Sequence, residues 1–315
     1  MEQPADIQPS AENQQPQSTP PPAIKAGWIR ATIFFVVAMG VVVLEQVVFG
    51  FILTLRGMDI NNLAALMQSP NMIVFQAVSV ATVLLLMYIF RRLLDRLPFV
   101  TLGFQFGGTE RLHLIIGFIW GAALILIIFG SLLIAGLIEI SEWHTPSGAM
   151  LATFIVMIFA ASQEEFICRG YMLNNYMKSI NKYLALLLVS VLFAAVHGAN
   201  PNVSLVALLN IILAGLLLGI YYVHRQNLWF PVGLHIGWNF FQGVVMGSPV
   251  SGIRVDSLLT LNFVGNKWLT GGDFGFEASL VTSVVLIIAT VLVHLQFRQS
   301  KETVPQVGIP PTPTP

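Results

Sequence analysis

Cysteine is nearly missing from this chain: Cys168 is the only one in 315 residues. That excludes an intramolecular disulfide, a Cys-rich zinc site and an iron–sulfur site built within the chain. Charge is scarce as well, with only 10% Asp, Glu, Lys and Arg, against roughly 25% in an ordinary soluble domain. The charges that remain balance, 15 basic against 15 acidic, so nothing points to nucleic acid as a partner. There is no H-E-x-x-H, no fixed-period repeat and no signal-peptide pattern ahead of the first apolar run. What fills the chain is hydrocarbon: 56% of its residues are hydrophobic. Several apolar runs approach or exceed the ~20 residues that cross a bilayer as a helix. The expected fold is all-α, a polytopic membrane helix bundle of about eight transmembrane helices.

The spans fall at 28–55, 71–90, 112–138, 149–178, 183–199, 203–224, 229–247 and 278–297, and the long fourth one is expected to be tilted or broken. Residues 1–27, rich in Pro, Gln and Ser, cannot bury a core and are expected to form a disordered cytoplasmic tail. Residues 298–315 form a second short tail, and 28–297 the helical domain, whose motifs lie in 149–280. Basic residues set orientation. Lys25, Arg30, Arg91, Arg92, Arg96, Arg111, Arg169, Lys178, Lys182, Arg225, Arg298 and Lys301 fall on one side, and only Arg56, Arg254 and Lys267 on the other. Both termini should face the cytoplasm, and the loops 56–70, 139–148 and 248–277 should face outward, the last partly re-entrant. The charge-poor composition and plain tails suggest a multi-pass protein of the plasma (inner) membrane.

Ionisable groups inside a membrane bundle are costly, so each is a functional candidate. The first cluster is Ser162-Gln163-Glu164-Glu165-Phe166-Ile167-Cys168-Arg169-Gly170. Adjacent helical residues point about 100° apart, so Glu164 and Glu165 cannot serve the same purpose. Glu165 lies four residues before Arg169, the favourable order for an ion pair. Glu164 is left without a local cation, and a purely structural knot would need only one acid for its one arginine. Phe193 and His197, four apart, share a face, as do His235 and Asn239. Taken alone, His197 reads as a helix contact, and His235 with Asn239 as interhelical hydrogen bonds worth about 1 kcal/mol each. Depth permits the three clusters to meet. At 1.5 Å per residue, Glu164 lies roughly 21 Å from Lys178, His197 roughly 22 Å from Lys182 and His235 at most roughly 15 Å from Arg225.

A carboxylate partly shielded from bulk water becomes a competent general base. In a cavity open to cytoplasmic water, Glu164 beside a histidine could deprotonate a water for attack on a peptide carbonyl. Asn and His side chains could stabilise the oxyanion. Metal is the rival chemistry: Glu164, His197 and His235 would suit a divalent ion. Cys168 has no histidine base placed against it. Glu45, Gln46 and Gln76 read as interhelical or span-end polar groups, and Gly215 with Gly219 as a close helix contact.

E-E-x-x-x-R, F-x-x-x-H and H-x-x-x-N, in this order on successive membrane helices, resemble the CPBP (CAAX protease and bacteriocin-processing, or Abi) family of intramembrane endopeptidases. The match runs through Glu164-Glu165…Arg169-Gly170, Phe193…His197 and Leu228-Trp229…His235…Asn239. A looser echo follows in Leu269-Thr270-Gly271-Gly272-Asp273-Phe274-Gly275-Phe276-Glu277. The resemblance implies that Glu164 activates water with help from His197, that His235 and Asn239 serve the oxyanion, and that Arg169 is a structural partner of Glu165. It implies a metal-free site, though relatives are often labelled metalloproteases. Its implied partners are membrane lipid and a lipidated or hydrophobic peptide, cut near its C-terminus after presentation from the cytoplasmic leaflet.

Two other classes compete with the endopeptidase. A non-catalytic membrane scaffold or regulator, as in bacteriocin immunity, could keep the ionic cluster for packing. A proton-coupled transporter could use Glu164 and His197 as a relay, but internal repeats with broken helices in corresponding positions are not visible.

Overall fold

A computed structural model describes residues 20–108 and 110–298. Hydrocarbon forces each spanning segment to satisfy its own backbone, and helices do so. Eight principal helices follow: α1 (Gly27–Leu55), α2 (Pro70–Phe90), α3 (Glu110–Ile134), α4 (Gly148–Glu165), α5 (Lys182–Val196), α6 (Leu205–Arg225), α7 (Trp229–Asn239) and α8 (Leu280–Phe297). Seven of the described helical stretches are long and apolar enough to cross a membrane; the α7 stretch is not among them. The chain is therefore a polytopic helical bundle. Side chains that accept the first orphan N–H groups mark several starts: Ser69 ahead of Pro70, Ser147, Asn181, Ser204 and Ser279.

α4 runs through the centre. It neither stops nor breaks at Glu165 but widens to π geometry over Phe166–Leu173 before a final α turn at Asn174–Tyr176. Residues 165–176 are all buried. α7 does the same, passing into a π segment at Phe240–Val245 directly after Asn239. Such widenings are frequent at functional sites.

α7 packs on α3 through four glycines. A Cβ on Gly117 would lie 2.2 Å from the Phe230 carbonyl oxygen, and one on Gly121 2.2 Å from that of Leu234. In return, a Cβ on Gly233 would lie 2.0 Å from the Leu114 oxygen and one on Gly237 2.3 Å from that of Phe118. The two backbones thus touch directly, the small-residue packing that apolar surroundings favour. Gly215 and Gly219 of α6 make the expected close contact, against Ser190 and Leu186 of α5.

At the end that the basic residues assign to the cytoplasm, a buried ionic cluster ties α1, α2, α4 and α6 together. Asp95 bridges Arg30 at 2.5 Å and Arg91 at 3.0 Å. Asn175 accepts from Arg30 (3.0 Å) and Asn174 from Arg91 (3.3 Å), while Asn174 donates to Tyr222 (3.0 Å). Arg30, Arg91 and Arg169 are therefore buried ion-pair members rather than surface charges. Without them the count still favours the same orientation, nine to three. Asp95→Ala should destabilise the protein by about 3–5 kcal/mol, because it leaves two guanidinium groups buried without their anion. A thermal melt beside wild type measures this, and an unchanged midpoint would refute the clamp.

Residues 20–26, the end of the segment assigned to a disordered tail, are held in place. The Ala23 N–H donates to the Leu94 carbonyl at 2.9 Å, Arg96 donates to the Pro21 carbonyl at 3.1 Å, and Arg30 reaches the Ile24 and Lys25 carbonyls. Composition alone could not show that neighbouring arginines would capture these free carbonyls. Residues 1–19 and 299–315, the rest of both expected tails, lie outside the described residues. At the opposite end β1 (Ile138–Trp143) pairs antiparallel with β2 (Leu259–Phe263), a small ribbon added to the all-α plan.

Candidate active site

Three elements bring the expected residues together. Glu164 stands near the end of regular α4, His197 caps the end of α5, and His235 sits midway along α7. Glu164 Oε2 lies 3.9 Å from His197 Nε2 and 3.8 Å from His235 Nε2. Asn239, one turn beyond His235, lines the same cavity. The two histidines are thus equally close to the carboxylate, so geometry does not divide them into a base side and an oxyanion side.

Hydrogen bonds fix both tautomers. His197 Nδ1 lies 2.8 Å from the Phe193 carbonyl, which can only accept. His235 Nδ1 lies 3.0 Å from Glu165 Oε1, a carboxylate that also holds Arg169 at 2.9 Å. Both Nδ1 atoms are therefore donors, and in each neutral ring the lone pair at Nε2 faces Glu164. Glu164 Oε2 itself is buried without a hydrogen-bond partner. Three acceptors converge with no donor between them. At 3.8–3.9 Å the gaps exceed a direct hydrogen bond, and a water donating both its protons would satisfy two of the three.

Behind this face, Glu165 is fully buried between His235 and Arg169. Arg169 also donates to the Gly215 carbonyl at 3.1 Å and stacks over Phe193 with its guanidinium 4.8 Å from the ring centroid. The two adjacent glutamates do face different surroundings, one a cavity and one an ion pair. A further chain of polar groups holds α4: Gln163 donates to Ser79 (2.7 Å), and Ser79 to Glu45 (2.6 Å). Glu45 is thus interhelical, as its position predicted. Gln46, read the same way, instead lines the cavity, because the α1 face bearing Phe35, Met39 and Val43 turns towards it.

The cavity measures about 530 Å³. Its walls include Asn200, Val250, Ser251, Ile253 and Glu277, from loops at the end that the basic residues assign to the outer face. An opening to cytoplasmic water was expected, and the lining points the other way. The physical reason is depth: roughly 21 Å from the cytoplasmic end places Glu164 beyond the middle of a core about 30 Å thick. Glu277 was quoted in the sequence only as part of a loose echo, and no spacing rule connects it with His197. Burial raises the ordinary carboxyl pKa of Glu277, while Ser251 and the nearby His197 and His235 pull it down. Among the described residues, no group of three or more His, Cys, Asp or Glu side chains is placed to hold a metal ion. The Nε2 lone pairs of His197 and His235 nonetheless have the tautomer that ligation requires.

Fold and site together define a polytopic membrane protein with a carboxylate–imidazole cluster inside its helical bundle. Residues 146–241, just under a third of the chain, match the family described as Type II CAAX prenyl endopeptidase Rce1-like. Over that segment the chain is similar to this family of CAAX endopeptidases. No curated protein and no solved structure matches it.

Proposed function

We propose that the protein is an intramembrane endopeptidase that hydrolyses a peptide bond of a membrane-associated or lipidated chain by glutamate-activated water attack. The observation that carries this is the convergence of three acceptors, Glu164 Oε2 and two imidazole Nε2 atoms, on one point of a cavity. A water there gives one proton to Glu164 as its oxygen bonds to the scissile carbonyl carbon. His197 is the second acceptor that orients this water. The carbonyl oxygen gains the negative charge, and the Asn239 amide donates to it. His235 joins as a donor once it carries a proton at Nε2, with the Glu165 carboxylate facing its Nδ1–H. Glu164 then returns its proton to the leaving nitrogen as the C–N bond breaks, giving a carboxylic acid and a free amine.

The protein is read as residing in the plasma (inner) membrane with both termini in the cytoplasm, and the cavity lining favours entry of the peptide from the outer side. The test is cleavage of an apolar reporter-peptide library by purified wild type beside Glu164→Gln, each with and without chelator. Cleavage by wild type alone, unaffected by chelator, supports this mechanism. Loss of cleavage on chelation would make Glu164, His197 and His235 ligands of a divalent metal. Equal cleavage by both proteins would sink the assignment of Glu164. An inert wild type, with the variant equally stable, is the result that a scaffold predicts.

Entry from the outer side has its own test. Asn200→Cys in a Cys168→Ser background should react with an impermeant maleimide applied to intact cells. Labelling confined to inside-out vesicles would reverse the orientation.

A further inference from the structure

Among the described residues, the cavity wall carries two carboxylates, Glu164 and Glu277, and neither lysine nor arginine. Arg169 is turned away to Glu165 behind the wall. On the outer loop, Arg254 is exposed and lies 3.4 Å from Asp273. Both imidazoles have committed their Nδ1–H, to Phe193 and to Glu165. Apart from those rings, the surface between the two acids is mostly aliphatic and aromatic.

Glu277 is mounted rigidly. Its Oε2 accepts from the Ser251 N–H at 2.5 Å and from the Ser251 hydroxyl at 3.1 Å. Asn210 of α6 donates to the Glu277 and Ser279 carbonyls, both at 2.8 Å, and accepts from Ser283 at 2.6 Å. Gly275, with φ 98°, lies so close to Pro249 that a Cβ would sit 1.9 Å from its carbonyl oxygen. The Phe276 N–H donates to Ser248 at 3.1 Å. Two loops are thereby pinned together so that one carboxylate faces a mostly apolar cavity with only the two imidazoles, and no lysine or arginine among the described residues, as basic neighbours. A buried charge left unpaired is costly, and a ligand that brings the opposite charge removes that cost.

We infer that Glu277 is a specificity-determining carboxylate that receives a cationic group of the substrate, a lysine or arginine side chain or a free amino terminus. This rests on the reading of the cavity as a peptide site. The substrate class is thus an apolar peptide bearing a positive charge near the cleaved bond.

Binding tests this independently of turnover. The full chain carrying Glu164→Gln, in lipid nanodiscs, retains Glu277 as the one carboxylate on the cavity wall. Equilibrium dialysis would measure its affinity for C-terminally amidated apolar decapeptides with lysine, norleucine or glutamate scanned through the central positions. At the best position lysine should bind about tenfold more tightly than norleucine, a modest charge-assisted gain. Adding Glu277→Gln, which retains an oxygen for the Ser251 N–H, should abolish that ratio. Adding Glu277→Lys should invert it in favour of glutamate. Equal affinities, a lysine preference that survives Glu277→Gln, or no binding of any peptide would overturn the inference. Charge-dependent binding without cleavage by wild type would sink the hydrolytic mechanism alone. Cleavage without charge preference would sink only the role of Glu277.

Discussion

Glu164→Gln should lower kcat by about 10³-fold, within the 10²–10⁴ that a positioned general base contributes. Its melting midpoint should stay within about 2 °C of wild type, a shift of no more than about 1 kcal/mol. The stability half follows from the orphaned Oε2, which has no hydrogen bond to lose. An amide of the same shape brings an N–H that can donate to either Nε2, so the folded state gains a donor where it had three acceptors. The catalytic half follows because an amide cannot accept the water's proton. Glu165→Gln one residue later should behave in the opposite way. It weakens a fully buried contact with Arg169 at 2.9 Å and with His235 at 3.0 Å, and breaking such a pair costs about 3–5 kcal/mol. Kinetics and melts on the two variants check the contrast. Equal loss of stability in both would mean that the adjacent acids form one structural knot.

Gly233→Ala should reduce activity about 10²-fold and destabilise the protein by about 1–3 kcal/mol, although it adds one methyl group far from any reacting atom. The new Cβ would sit 2.0 Å from the Leu114 carbonyl oxygen. That atom belongs to backbone and cannot rotate away, so α7 itself must move. His235 lies two residues on, roughly on the opposite face, and the displacement passes directly into its distance from Glu164. Gly130→Ala on α3, where a Cβ meets nothing within 4 Å, is the control and should change neither quantity. Similar losses in both variants would show that the seam does not govern the effect, since helix propensity alone favours alanine.

The helices were legible because lipid requires long apolar runs, and several of those helices begin at Ser69, Ser147 and Ser204, where polar caps follow physical rules. The site was legible to the extent that it lies on helices. Glu164 and Glu165 diverge by helical geometry, Glu165 reaches Arg169 one turn on, and Phe193–His197 and His235–Asn239 keep the same spacing. What was missed depends on partners that local periodicity does not specify. Gly117, Gly121, Gly233 and Gly237 are visibly four apart in pairs, but nothing local says that one pair faces the other. Glu277 reaches His197 through a loop clamped by Gly275 and Asn210, a long-range arrangement. The alternation in Ile138–Trp143 and Leu259–Phe263 was readable as strand and was absorbed into span ends and loop. The direction of opening needed the positions of residues 200 and 250–255.

The π segment Phe166–Leu173 has a consequence for how this protein can change in length. A π turn holds one residue more than an α turn, and one residue corresponds to about 100° of rotation around a helix. The part of α4 bearing Glu164 and the part bearing Asn174 and Asn175 are therefore out of phase with each other. Deleting a single residue within 166–173 would relax the widened turn towards an ordinary helix rather than break it. The π turn would give up its extra residue, so the lower section would keep its direction and the Asn174 and Asn175 contacts would stay aligned with Glu164. The same deletion in a regular part of α4 has no such slack, and there it would turn the Asn174 and Asn175 anchor by about 100° against Glu164.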